Sequence, residues 1–144
     1  YISTIIKPNY IIKYAARMIR NFTDGSQRAG HIAVCEMYLT KYFFPNKPFY
    51  YLFPKMTQAD IDYLDKNKGN DKEWYLLRNE PNVTIVPIDN VIGVSNEVKE
   101  SLIKIKDLPS KGNELKIYNS CVKQIVEGLN NGSITIKNES CSKI

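Results

Sequence analysis

Apolar residues recur at every third or fourth position from Leu115 to Leu129, the spacing that places them on one face of an α-helix. The residues that follow, Asn130 to Gly132, are typical of a helix C-terminus. This segment constrains the fold most, because an amphipathic helix of about four turns must bury its apolar face against another layer of structure. The rest of the chain therefore has to supply that layer.

Two segments have the composition of buried β-strands. Residues 49–53 read Phe-Tyr-Tyr-Leu-Phe and are followed by Pro54, and residues 83–86 are rich in β-branched side chains. Pro87 places the second strand at an edge or an end of its sheet. Shorter extended segments are predicted at residues 88–94 and 133–137.

Further helices are predicted from apolar spacing and from capping residues. Thr57 with Asp60 three positions later predicts a helix from Gln58 to Lys66, and Asp71 is a candidate cap for the next one. The other predicted helices span residues 10–22, 27–43 and 95–107. About five helices and three or four short strands, without strict alternation, predict an α+β fold in a single compact domain.

The chain has 144 residues, enough for one domain, and it begins at Tyr1 with no Met. We therefore expect residues 1–144 to be a domain excised from a larger polypeptide. Its net charge of +5 is unevenly spread, at +6 over residues 1–55, −4 over 56–100 and +3 over 101–144. A basic surface favours polyanionic partners.

Three basic residues, Lys13, Arg17 and Arg20, stand at i, i+4 and i+7 of the helix predicted over residues 10–22. Together with Lys7 and Arg28 they form a candidate surface for successive phosphates of a nucleic acid. Aromatic residues nearby are candidates for stacking on unpaired bases: Tyr38, Tyr42, Phe44, Phe49, Tyr50 and Tyr51. The leading hypothesis is a non-catalytic binding module that contacts nucleic acid through phosphates, within a larger protein or assembly.

A second hypothesis is a protein-interaction or assembly domain. Its oppositely charged segments could face complementary surfaces on another chain or on a second copy of this one. The ten tyrosines favour this hypothesis, because tyrosine is enriched in the cores of interfaces.

A third hypothesis is a hydrolase or nuclease. The sole histidine, His31, lies one helical turn before Cys35 and next to Glu36 along the predicted helix, so these three are the candidate catalytic residues. An alternative site would hold Mg²⁺ between Asp60 and Asp62. No Cys-x-x-Cys or His-x-x-x-His pair and no phosphate-binding loop is present, so we expect no metal and no cofactor, and the enzyme hypothesis ranks below the two binding hypotheses.

The expected location is intracellular, either cytoplasmic or nuclear. The three cysteines cannot all pair within one chain, which favours reduced thiols. Four glycosylation sequons, beginning at Asn21, Asn82, Asn131 and Asn138, leave secretion as the alternative. The longest apolar runs fall far short of the roughly 18 residues that span a bilayer, so no membrane partner is expected.

Overall fold

A computed structural model describes residues 4–15, 28–54, 56–104 and 112–137. Over these ranges the chain forms five α-helices and six β-strands. In chain order they are β1 (Thr4–Ile6), β2 (Ile11–Tyr14), α1 (Arg28–Phe43), β3 (Phe49–Phe53), α2 (Gln58–Asn67), α3 (Lys72–Asn79), β4 (Val83–Pro87), β5 (Val91–Ile92), α4 (Asn96–Lys104), α5 (Gly112–Asn131) and β6 (Thr135–Ile136).

The main sheet has its strands in the order β1-β2-β3-β4. Strands β2, β3 and β4 are parallel, whereas β1 pairs antiparallel with β2 as a hairpin. Helix α1 makes the connection from β2 to β3, and α2 with α3 makes the connection from β3 to β4. A separate two-stranded antiparallel sheet pairs β5 with β6.

Alternation along the central strands places large side chains on both faces of the main sheet. One face packs against α1, α2 and α3 through Ile11, Phe49, Tyr51, Phe53 and Ile85. The opposite face packs against α4 and α5 through Ile12, Tyr14, Tyr50, Leu52 and Val86. The sheet is therefore the middle of three layers, and it carries the apolar surface that the amphipathic helix α5 needs.

Helix α2 begins as predicted. The Thr57 hydroxyl accepts a hydrogen bond from the Asp60 backbone N–H, and the Asp60 carboxylate accepts one from the Thr57 N–H at 2.9 Å. This capping box satisfies two backbone donors that the first turn would otherwise leave open.

Helices α2 and α3 are tied together through the Asp65 carboxylate. It accepts the indole N–H of Trp74 at 2.9 Å and two guanidinium N–H groups of Arg78 at 3.0 Å each. The Trp74 ring is buried beneath, and the Arg78 guanidinium carbon lies 5.7 Å from its centroid. The acidic residue Asp65 therefore has a structural partner.

The predicted α+β fold is confirmed, as are helices α1, α2, α3, α4 and α5 and the strands β3, β4 and β6. Strand β4 lies at an edge of the sheet, as Pro87 indicated. The segment over residues 88–94 contains a 3-10 turn, Ile88–Asn90, followed by the short strand β5.

The helix predicted over residues 10–22 is wrong at its start, because Ile11–Tyr14 is the strand β2. Its apolar residues Ile11 and Ala15 are four apart, a spacing that returns to the same face in a strand as well as in a helix. The consecutive pair Ile11 and Ile12, buried on opposite faces, fits only the strand. Residues 16–22 lie outside the described part of the chain.

The C-terminal end of α5 packs closely on the strand that follows. Gly132 has a positive φ of 87°, and its N–H and that of Ile134 both donate to the Gly128 carbonyl oxygen, at 2.9 and 3.0 Å. A Cβ on Gly128 would stand 2.9 Å from the Cβ of Ile134 and closer still to its outer atoms. Gly128 is therefore required by the approach of Ile134.

Gly128→Ala should destabilise the protein by about 1–3 kcal/mol, although alanine usually favours a helix over glycine. The added methyl group overlaps Ile134, so Gly128→Ala should cost less in a chain that already carries Ile134→Ala than it costs in wild type. Urea unfolding measures both changes, with Ser120→Ala at an exposed position of α5 as the control. A stabilising Gly128→Ala would contradict the close packing.

Candidate functional site

Helix α1 lies on one face of the main sheet and packs against α3. Its inner side chains Ala33, Val34 and Met37 are buried in the core with the aromatic residues of β3. Thr40 is also buried, and its hydroxyl donates to the Glu36 carbonyl oxygen at 2.8 Å, within the helix. These contacts fix which side of α1 faces the sheet.

The opposite side of α1 is apolar as well. Leu39 is 59% exposed, Tyr42 77% and Phe43 65%, and the rings of Tyr42 and Phe43 meet edge to face with centroids 5.3 Å apart. From Gly30 to Phe43, the part of α1 whose side-chain exposure the structure describes, the exposed residues are His31, Cys35, Tyr38, Leu39, Tyr42 and Phe43, and we define these six as the α1 outer face. No lysine, arginine, aspartate or glutamate belongs to this set.

Helix α5 provides a comparison within the same chain. Its exposed residues are mostly polar: Lys116, Asn119, Ser120, Lys123, Gln124 and Glu127, with Ile117 among them. That is the pattern of a helix with one face in the core and one in water. A helix that is apolar on its inner and outer sides, as α1 is, normally has both sides covered.

The charged groups beside the α1 outer face are paired within the chain. The Lys41 ammonium donates to the Glu80 carboxylate at 2.7 Å and to the Pro81 carbonyl oxygen at 2.8 Å. The Tyr38 hydroxyl donates to the second oxygen of Glu80 at 3.0 Å. Desolvation first, and then the hydrogen bond and the charge of Glu80, raise the pKa of Tyr38 above its ordinary value.

The three catalytic candidates do not converge on one point. The His31 side chain is 72% exposed, and its Nδ1 lies 3.9 Å from a carboxylate oxygen of Glu73 on α3, an unpredicted neighbour. Cys35 is exposed on the α1 outer face. Glu36 turns away to the sheet side, where its carboxylate accepts a hydrogen bond from the Tyr51 hydroxyl at 3.1 Å.

The carboxylates of Asp60 and Asp62, the predicted Mg²⁺ ligands, form hydrogen bonds within the chain. Asp60 is committed to the α2 capping box, and Asp62 accepts a hydrogen bond from the Gln58 side chain at 3.0 Å. Among the residues that the structure describes, no group of three or more His, Cys, Asp or Glu side chains could hold a metal ion. The arrangement of Asp60 and Asp62 therefore gives no support to the Mg²⁺ hypothesis.

The basic residues predicted to bind phosphates are placed in different environments. Lys13 is only 8% exposed within β2, so it is not displayed on a helix as predicted. The Lys7 ammonium donates to the Leu129 carbonyl oxygen at 3.0 Å. Arg28 is the first residue of α1, while Arg17 and Arg20 lie outside the described ranges. The continuous helical stripe that begins at Lys13 is therefore a wrong prediction.

Two open depressions mark other parts of the surface. One, of about 400 Å³, borders the Asp65–Arg78 pair, and the other, of about 340 Å³, lies between the start of α4 and the end of α5. Their described linings contain neither histidine nor cysteine. Neither depression therefore brings an imidazole or a thiol to its described lining.

Comparisons of the chain with models of known protein families, with curated proteins and with solved structures find no match. None of the helices described above is long and apolar enough to cross a membrane.

Tyr38 and Tyr42 were predicted as candidates for base stacking, and all ten tyrosines were counted in favour of an interface, but Leu39 and Phe43 were not predicted as contact residues. Two adjacent apolar stripes, one through Cys35 and Tyr42 and one through Leu39 and Phe43, were visible in the sequence. Between His31 and Lys41 the only charged residue is Glu36, which bonds to Tyr51. That scarcity of charge was the available signal of an apolar outer side of α1.

The Tyr51 hydroxyl lies within hydrogen-bond distance of two acceptors, the Ala33 carbonyl oxygen at 3.0 Å and the Glu36 carboxylate at 3.1 Å. Burial, and then the charge and hydrogen bond of Glu36, raise the pKa of Tyr51 above its ordinary value of 10.0. Tyr51 therefore stabilises the fold fully below pH 10, where it is neutral in both states. This contribution is lost as pH rises further, because the unfolded chain releases the proton first.

Tyr51→Phe should cost about 1–3 kcal/mol at pH 7, because the buried Ala33 carbonyl oxygen and the half-buried Glu36 carboxylate lose their donor. The difference from wild type should shrink above pH 10, by at most about 1.4 kcal/mol per pH unit. Urea unfolding at pH 7 and at higher pH measures this, with Tyr63→Phe at an exposed position as the control. A difference that grows with pH would contradict the assignment.

Proposed function

We propose that this chain is a non-catalytic protein-interaction domain whose contact surface is the α1 outer face. The observation that carries the proposal is the exposure of Leu39, Tyr42 and Phe43 on a helix whose inner side is already filled by the core. Exposed apolar residues that stand singly are ordinary, whereas a contiguous group marks a surface that binds something.

The chemistry of the face fits a protein partner. Tyrosine and phenylalanine are enriched in interface cores, where large rings add contact area at little cost in conformational entropy. Charged residues are depleted there, and the α1 outer face has none. Lys41 and Glu80, which lie beside it, form an ion pair with each other.

The enzyme hypothesis receives less support. The imidazole of His31 faces solvent and Glu36 bonds to Tyr51 inside the protein, so the two cannot act together on one substrate as placed. The exposed Cys35 and His31 are accounted for as members of the α1 outer face.

The test changes the face without changing the core. Leu39→Glu with Phe43→Glu, one turn apart on α1, should reduce recovery of protein partners from the native cell extract at least tenfold. The physical reason is that two apolar anchors are replaced by charges that would have to be desolvated in the complex. Recovery is measured by affinity capture and quantitative mass spectrometry.

The matched control is Ser120→Glu with Gln124→Glu, which adds the same charge at the same spacing on the exposed face of α5. It should retain the partners that wild type retains. Both double variants should unfold within about 1 kcal/mol of wild type, since exposed positions contribute little to stability. Equal recovery with both variants would reject the face as the contact surface.

Nucleic-acid binding is retained as a second candidate, with a smaller set of residues. Arg17, Arg20 and Arg28 follow the carboxyl end of β2 in the chain and lead into α1. Ligands of open parallel sheets bind beyond the carboxyl ends of the strands, so this position favours a role for the three arginines. Lys7 and Lys13 drop out, because one bonds to Leu129 and the other is buried.

If the arginines bind phosphates, affinity for a labelled oligonucleotide should fall steeply between about 50 and 200 mM salt, and Arg17→Glu with Arg20→Glu should abolish it. Fluorescence anisotropy measures this. The control Lys116→Glu with Lys123→Glu makes the same charge change on α5 and should lower affinity only slightly. Equal losses of affinity in both variants would show that binding depends only on the net charge of the protein.

A further inference from the structure

We infer that the partner of the α1 outer face is the same face of a second copy of this chain, with the two α1 helices antiparallel across a two-fold axis. This inference rests on the proposed function and names the partner. Three properties of the face support self-pairing: its lack of charge, its area and the positions of its residues along α1.

When a face pairs with a second copy of itself, each charged residue comes close to the same residue, or to its neighbours, in the other copy. Like charges brought together at an interface cost several kcal/mol. The α1 outer face avoids this cost because it has no lysine, arginine, aspartate or glutamate. Homodimer interfaces are also more apolar than the interfaces of transient complexes. Here the flanking Lys41 and Glu80 are already joined at 2.7 Å.

The area of the face is suited to the centre of a dimer interface. The exposed parts of its apolar side chains amount to roughly 500 Å², taking about 200 Å² for a whole aromatic side chain. A standard interface buries about 800 Å² on each partner. The face therefore supplies more than half of the required area, and the polar border with Lys41 and Glu80 is placed to form its rim.

The positions along α1 suit an antiparallel pair. The face runs from His31 to Phe43, which is about 18 Å of helix. With the axis midway between Cys35 and Leu39, Cys35 of each copy lies opposite Leu39 of the other. His31 of each copy then lies opposite Phe43 of the other. Helix α5 takes no part in this contact, because it packs on the opposite side of the sheet.

The full chain, with reducing agent, is examined by sedimentation equilibrium between about 1 µM and 1 mM. We expect a monomer–dimer equilibrium, weakened at least tenfold by Leu39→Glu with Phe43→Glu and unchanged by Ser120→Glu with Gln124→Glu. A monomer throughout this range, or a dimer that resists the α1 variant, overturns the inference. A monomer that binds single-stranded nucleic acid through Tyr42 would also overturn it.

Cross-linking tests the antiparallel arrangement. Two chains that both carry Cys141→Ser are mixed, one with Cys35 unchanged and the other with Cys35→Ser and Leu39→Cys, because thiols at positions 35 and 39 of one helix lie one turn apart and would link within a single copy. A short bismaleimide should then join residue 35 of one chain to residue 39 of the other, as peptide mapping shows. Links of 35 to 35 and 39 to 39 alone would indicate parallel helices and overturn the arrangement. If the dimer is absent while partner capture from extract still depends on Leu39 and Phe43, only the self-pairing fails.

Discussion

The structure depends on the burial of the main sheet from both sides. Strands β2 and β3 have large apolar side chains on each face, so neither face can be left to water. Helices α1, α2 and α3 cover one face, and α4 and α5 cover the other. Helix α1 is held in this layer by Val34 and Met37, and this packing decides which of its sides is turned outward. The exposed aromatic surface is therefore a consequence of how the core is filled.

Local signals in the sequence predicted much of this fold. The capping box of Thr57 and Asp60 depends on residues three positions apart, and α2 begins there. The apolar spacing of α5 extends over about four turns, long enough for a helical period to be distinguished from a strand period. The spacing of Ile11 and Ala15 fits a helix and a strand equally well, and the parallel pairing of β2 with β3 is a long-range interaction that no local pattern records.

The candidate site was less predictable, because exposure is a tertiary property. Both apolar stripes of α1 were visible as spacing, but only packing against the sheet shows that Leu39 and Phe43 remain outside. The basic residues were predicted as phosphate ligands from their charge alone. Charge does not show whether a residue is buried, and Lys13 proved to be buried. His31 and Cys35 lie on the α1 outer face, whereas Glu36 bonds to Tyr51, since consecutive residues on a helix point about 100° apart.

The central claim is that the α1 outer face is covered when the protein is in its working state. Alkylation of Cys35 tests it directly, because this thiol is exposed on the face, while the buried Cys121 reports unfolding in the same sample. The rate is measured by mass spectrometry in intact cells that make the protein and in dilute purified protein. The account predicts slow labelling of Cys35 in cells and fast labelling in dilution, with Cys121 slow in both. Equal rates for Cys35 in the two samples would contradict it.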